Sequence, residues 1–166
     1  LRAAFKQLER DVAPEIRRYY QTSDPQTGEL IPVLYYFWVK VVLCPCCGER
    51  TDLFSTRVFA RNANPSRRPE VQVCCPDCGD VFQAADASGK SRCPRCGLTF
   101  AVDVGQVSGM NAICRECHRE FAIVKSVRAS GKPPDHRLYA KLVLTPSGRK
   151  VYLPVTEGDL RAYEQC

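Results

Sequence analysis

The stretch CPDCGDVFQAADASGKSRCPRCG, residues 75–97, holds two Cys-Pro-x-Cys-Gly turns whose cysteine pairs have 14 residues between them. Proline fixes φ where each turn begins, and glycine after the second cysteine accepts a positive φ, so both sulfurs can be aimed at one centre. Two such turns present four thiolates, the donor set that suits tetrahedral Zn2+. Outward from this stretch the motif recurs at Cys44-Pro45-Cys46-Cys47-Gly48, and in a looser form at Cys114-Arg115-Glu116-Cys117-His118. Eight of the 11 cysteines therefore fall in four Cys-x-x-Cys pairs, leaving Cys46, Cys74 and Cys166 over.

The last pair has a second reading. Cys-x-x-Cys-His is the attachment signature of a c-type haem, with the histidine as axial ligand. That reading would orphan the third cysteine pair, and the single methionine, Met110, lies too close in sequence to serve as the distal ligand. The pair is therefore read as a fourth metal-binding turn, with His118 beside the metal or on the surface. An iron–sulfur cluster is the main rival to zinc. A thioredoxin-like dithiol does not fit, because no βαβ pattern surrounds any pair. A secreted disulfide framework does not fit the repeated two-residue gaps.

How the turns pair is open to sequence. The gaps between successive pairs are 27, 14 and 17 residues. Consecutive pairing joins Cys44/Cys47 to Cys75/Cys78, and Cys93/Cys96 to Cys114/Cys117. Nested pairing joins the two inner pairs and closes the outer two around them. Short loops close at least entropic cost, which leans towards nesting.

The 166 residues suffice for one domain or two small ones. The chain opens on Leu1 and reads as a piece of a longer protein. No apolar run reaches the length of a membrane span, so no membrane partner is expected. The N-terminal residues carry too many charges of both signs for a secretory signal, and the expected compartment is the cytoplasm. The formal net charge is +6. Eight zinc-bound thiolates would lower that to about +2, so only a local basic face can argue for a nucleic acid partner.

Phe5, Leu8, Val12, Ile16 and Tyr19 form a helical stripe, which Pro14 is expected to kink or split. TSDPQTGELIP (22–32) reads as a loop. Residues 31–43 read as a buried strand leading into the first turn. Between the cysteine pairs lie short β-like pieces too small to bury a core, a region that needs metal staples. RLYAKLVLTPSGRKVYLPV (137–155) alternates about a Pro-Ser-Gly turn as a hairpin, and Thr156 with Asp159 predicts a short capped helix. The expected fold class is α+β and zinc-ribbon-like: two four-cysteine zinc sites with short β-hairpins, an N-terminal helix and a short C-terminal helix. The expected segments are 1–30, helix and loop; 31–123, a double zinc-ribbon region with its inner ribbon at about 72–102; and 124–166, hairpin and closing helix.

PVLYYFWVKVVLCPCCG (32–48) and the segment from GMNAICREC (109–117) through VRASGKPPDHRLYAKLVLTPSGRKVYLPVTEGDL (127–160) resemble the zinc-ribbon segment of bacterial adenine-specific DNA methylases. The resemblance covers roughly Phe5 to Leu160. It implies a parent enzyme that uses S-adenosylmethionine to methylate adenine N6, with this segment inserted between the cofactor-binding glycine motif and the catalytic Asp-Pro-Pro-Tyr motif. It implies that Cys44, Cys47, Cys114 and Cys117 form one site. Cys75, Cys78, Cys93 and Cys96 then form an added inner ribbon, which supports nesting. Neither the glycine motif nor Asp-Pro-Pro-Tyr occurs in this chain, so no catalytic residue is assigned to it and S-adenosylmethionine belongs to the parent alone.

The expected partners are double-stranded DNA and the remainder of the parent methyltransferase. An enzyme that flips a base must hold the flanking duplex. Candidate DNA contacts are Arg57, Arg61, Arg67 and Arg68, then Lys125 and Arg128, with Lys132, Arg137 and Lys141 in the same second cluster. Arginine suits bidentate contacts to phosphate or guanine. The alternative is a purely structural or protein-interaction zinc-ribbon scaffold, which the aromatic run Tyr35-Tyr36-Phe37-Trp38 would serve as core or as docking surface. A free-standing zinc enzyme is disfavoured, because eight paired cysteines leave no open coordination position.

Overall fold

The computed structural model describes residues 2–165; Leu1 and the third unpaired cysteine, Cys166, lie outside them. Along the chain run α1 (Arg2–Arg17), β1 (Gln21–Ser23), β2 (Leu30–Leu43), β3 (Arg50–Asp52), β4 (Val58–Arg61), β5 (Val71–Cys74), β6 (Val81–Ala84), β7 (Lys90–Arg92) and β8 (Thr99–Ala101). There follow β9 (Val107–Ser108), β10 (Asn111–Ile113), β11 (Glu120–Ala122), α2 (Ile123–Ser130), β12 (Asp135–Leu144), β13 (Lys150–Pro154) and α3 (Glu157–Glu164). The fold is α+β with small sheets. One has the order β1-β2-β12-β13 with β3 added to β2; the others are β11-β10-β9, β4-β5-β6 and β7-β8. No helix among the described residues is long and apolar enough to cross a membrane.

The chain divides into two compact units. One takes the residues up to Tyr36 and from Lys141 onward; the other is Phe37–Ala140. Segments expected to stand apart at the two ends thus contribute to a common unit, and the boundaries fall inside the long strands β2 and β12.

The first unit packs Ile31, Val33 and Val143 with Tyr36, Val151 and Leu153. Its hairpin turns at Thr145–Gly148, where the Gly148 N–H donates to the Thr145 carbonyl at 2.9 Å. α3 begins with the expected capping box: the Thr156 hydroxyl accepts from the Asp159 N–H, and Asp159 accepts from the Thr156 N–H. Asp159 also accepts from the Nζ of Lys141 at 2.5 Å, and that Nζ donates to the Thr22 hydroxyl at 2.6 Å. The Lys141 side chain is 1% exposed and that of Asp159 is 0% exposed. Lys141 is therefore a buried ion-pair partner, which corrects its place in the expected basic cluster.

Two further expectations are not met. α1 runs through Pro14 unbroken. Pro14 lies in the last turn of a helix with no buried residue, so solvent can take the carbonyl that the missing N–H leaves unpaired. β2 is not buried throughout: Leu30, Tyr35, Trp38 and Leu43 are exposed while Ile31, Val33, Val39, Val41 and Val42 are buried. Tyr35 and Leu43 share the side of the strand that buries Ile31, Val33, Val39 and Val41, so burial changes along the strand rather than from face to face.

Among the described residues, the apolar clusters of the second unit include two built on buried residues. Val42, Cys44, Ala112, Cys114 and Phe121 form one, with Leu53, Val107, Ile123 and Val127 against it. Val58, Val71, Val73, Ala84 and Val102 form the other, with Phe82 and Phe100. Tyr139 is ringed by Phe54 and Phe59 edge-on, at centroid distances of 5.0 and 5.5 Å, and Phe59 meets Phe37 at 5.1 Å. α2 was not expected. Its apolar residues Ile123 and Val127 are one turn apart, its start lacks a side-chain cap, and Gly131 closes it in the left-handed conformation.

Candidate metal centres

Each cysteine pair folds by the same two hydrogen bonds. The fifth residue of the turn donates its N–H to the carbonyl of the first cysteine: Gly48 to Cys44 at 2.9 Å, Gly79 to Cys75 at 3.2 Å, Gly97 to Cys93 at 3.0 Å and His118 to Cys114 at 3.1 Å. The N–H of the first cysteine donates to the carbonyl of the sixth residue at 2.8–3.0 Å in all four. The fifth residue has positive φ, from 70° to 77° in the three glycines and 57° in His118. His118 therefore occupies the glycine position of its turn, exposed and outside the ligand set, and the haem reading loses its axial ligand. Asp24-Pro25-Gln26-Thr27-Gly28 repeats the geometry without cysteine. Gly28 donates to Asp24 and Asp24 donates to Glu29, both at 2.8 Å, joining β1 to β2. The segment expected as a loop is a hairpin.

The four turns assemble as two nested clusters: Cys44, Cys47, Cys114 and Cys117, and Cys75, Cys78, Cys93 and Cys96, the sulfurs of each within 4.8 Å of one another. Cross-turn sulfur separations are 3.7 Å for Cys44–Cys117, and 3.6 Å for Cys47–Cys114, Cys75–Cys96 and Cys78–Cys93. A tetrahedron with zinc–sulfur bonds of about 2.3 Å has edges of about 3.8 Å. Both clusters fit Zn2+ and are fully furnished by cysteine, which closes them to substrate or catalytic water.

The backbone prepares the thiolates. Burial opposes ionisation of Cys114, but the N–H groups of Cys117 and Glu116 and the neighbouring thiols outweigh it, and its pKa falls to about 6. Cys93 is treated likewise by burial against the N–H groups of Cys96 and Arg95, and falls to about 7. Burial instead pushes Cys75 up to about 12. Metal binding displaces the protons that remain on the thiols. Cys74 is no ligand: burial pushes its thiol up to about 11, and the sulfur donates to the carbonyls of Cys75 and Gly79. Cys46 is exposed, and its N–H donates to the Cys44 sulfur at 3.4 Å.

One residue that sequence did not single out ties the clusters together. Arg115, inside the fourth turn, donates to the Pro76 carbonyl and to the Asp77 carboxylate of the second turn, both at 2.7 Å. Nothing in the sequence marks that pairing between turns so far apart along the chain. Ser126 of α2 donates to the Leu43 carbonyl at 2.6 Å, fixing α2 beside the first turn.

The expected DNA contacts part company. Arg57 is only 5% exposed, just ahead of β4. Arg61 ends β4 in solvent, and Arg67 and Arg68 project from a turn whose N–H groups donate to the Asn64 carbonyl. Asn62 pins that loop by donating to the carbonyls of Arg68 and Glu70. Lys125 and Arg128 lie three residues apart on one face of α2. Arg137 is paired with Asp52 instead. None of Arg61, Arg67, Arg68, Lys125 and Arg128 forms an ion pair among the described residues. Comparison with family models, curated proteins and solved structures returned no match.

Proposed function

We propose that this chain is the zinc-ribbon module of an adenine-specific, S-adenosylmethionine-dependent DNA methyltransferase, a part that holds DNA and leaves catalysis to the rest of its enzyme. The observation that carries this reading is the nested arrangement of the cysteines. The outer cluster joins the two turns that the resemblance to those methylases assigns to the shared site, and the inner hairpins stand as an addition to it. Two closed four-cysteine centres suit a scaffold rather than a reaction site. The arginines of the β4–β5 loop supply the grip, since phosphate contacts account for most sequence-independent affinity.

In double-stranded DNA binding measured from low to moderate salt, Arg61→Ala, Arg67→Ala and Arg68→Ala together are expected to weaken binding and flatten the slope of log affinity against log salt. The slope should fall by about 0.9 for each phosphate no longer neutralised. An unchanged affinity and slope would remove this loop from the DNA face. A protein-interaction scaffold is the second reading. It is favoured by α1, whose apolar residues Phe5, Leu8 and Ile16 are 72%, 59% and 47% exposed. Stable docking to the catalytic portions without any DNA affinity is the result that would select it.

A further inference from the structure

Between the second and fourth cysteine turns lies a cavity of about 430 Å3, and Arg50, Arg57, Arg115 and Arg137 belong to its wall. Three of these arginines have carboxylate partners: Arg50 has Asp135, Arg115 has Asp77 and Arg137 has Asp52. Arg57 has none. It is 5% exposed, and among the described residues its side chain forms no ion pair and no hydrogen bond. Its guanidinium sits over the Phe54 ring at 4.9 Å. Its backbone is fixed beside the second turn, the carbonyl accepting from the Cys74 N–H at 3.0 Å. A buried cation without a counter-charge is costly, so the charge that answers Arg57 has to lie close by. The rest of the wall leaves one source. Asp52 and Asp77 are engaged, and Glu49 and Glu116 are exposed to water. Cys74 is a neutral thiol that donates to the carbonyls of Cys75 and Gly79. What remains is Cys75 and Cys78, two ligands of the inner cluster, in the same wall as Arg57. Four thiolates around one Zn2+ carry a net charge of about −2. Burial pushes the pKa of Arg57 down, and the Cys75 thiolate is among the charges that oppose this.

We propose that Arg57 is the counter-charge of the inner metal centre: its guanidinium offsets about half of the negative charge that Zn2+ and its four thiolates carry together, and so helps the inner cluster hold its metal. The four outer cysteines do not line this cavity, so the effect belongs to one centre of the two. The role holds whether or not the chain binds DNA, and it accounts for the withdrawal of an expected DNA contact from the surface. The competing role is packing, in which the length of the side chain covers Phe54 and its charge is idle.

Competition with a chelator measures how tightly each zinc is held, and NMR of the cadmium-loaded protein gives each four-sulfur centre its own signal. The signal absent from the chain with Cys75, Cys78, Cys93 and Cys96 all changed to serine marks the inner centre. Arg57→Met keeps most of the apolar length and removes the charge. It should weaken inner metal binding roughly tenfold or more, the scale of one partly screened charge pair. It should also move the inner signal and leave the outer one in place. Arg57→Lys returns the charge and should recover most of the affinity. Inner affinity in Arg57→Met equal to the parent's overturns the proposal. So does an Arg57→Lys variant as weak as Arg57→Met, which would make the shape of the side chain and not its charge the thing that matters. Equal weakening of both centres would mark a general loss of structure and overturns it too. If Arg57→Met does not fold, Arg57→Gln against Arg57→Lys makes the same comparison.

Discussion

Replacing Cys44, Cys47, Cys114 and Cys117 together with serine is expected to remove one zinc and the ordered structure of β10, β11 and α2. Two of those cysteines, Cys44 and Cys114, are themselves members of the five-residue core they sit in. The remaining members, Val42, Ala112 and Phe121, are too few to hold β2, β10, β11 and α2 together. Structural zinc contributes about 10–16 kcal/mol to folding in small metal-bound peptides, as much as the roughly 5–15 kcal/mol net stability of a whole domain. Metal analysis should report one zinc fewer, and amide exchange should become rapid throughout β10 and β11. A variant that keeps slow exchange in those strands would make the metal incidental to the fold.

Lys141→Met should cost about 3–5 kcal/mol, because it leaves the Asp159 carboxylate buried without its cation. Burial alone would raise the pKa of Asp159, but hydrogen bonds from Lys141 and Thr156 overcome it and hold the group below the ordinary carboxylate range. In the parent this contribution is present above the unfolded-state pKa of about 3.9 and lost as pH falls through the lower folded value. In the variant the sign reverses: the unpaired carboxylate takes up a proton more readily than in the unfolded chain, so the penalty is greatest near neutrality. The gap between the two proteins should therefore narrow on acidification. Amide exchange across α3 and the end of β12 reads this locally, apart from the metal centres. A gap independent of pH would contradict the ion-pair account.

The metal turns were legible because their chemistry is local. Proline, glycine and two cysteines at fixed spacing specify a turn without help from the rest of the chain, and Thr156 with Asp159 specify a cap in the same way. His118 needed the structure, since its role as the left-handed residue shows only by comparison with the three glycine turns. So did Asp24–Gly28, where Asp-Pro-x-Thr-Gly keeps the turn and drops the sulfurs. Long-range choices were not legible. Arg57, Arg137 and Lys141 read as surface charge because a cation type does not disclose burial; their surroundings come from residues far away, Asp52 and Asp159 among them. α2 was hidden by its β-branched start, Ile123-Val124, and its missing side-chain cap. In α1 the rule against internal proline did not hold, because a fully exposed final turn tolerates it.

The wiring of the cysteines underlies the account, and the zinc content of a chain with Cys75, Cys78, Cys93 and Cys96 all changed to serine tests it most directly. Nested centres predict one tightly held zinc per chain, with β10, β11 and α2 still folded. Loss of the inner centre should still lower stability, because Arg115 loses its ordered partners at Pro76 and Asp77. Consecutive or interleaved wiring would take two ligands from each centre. A variant that holds no zinc, its outer strands unfolded with the inner ones, would contradict the nested arrangement.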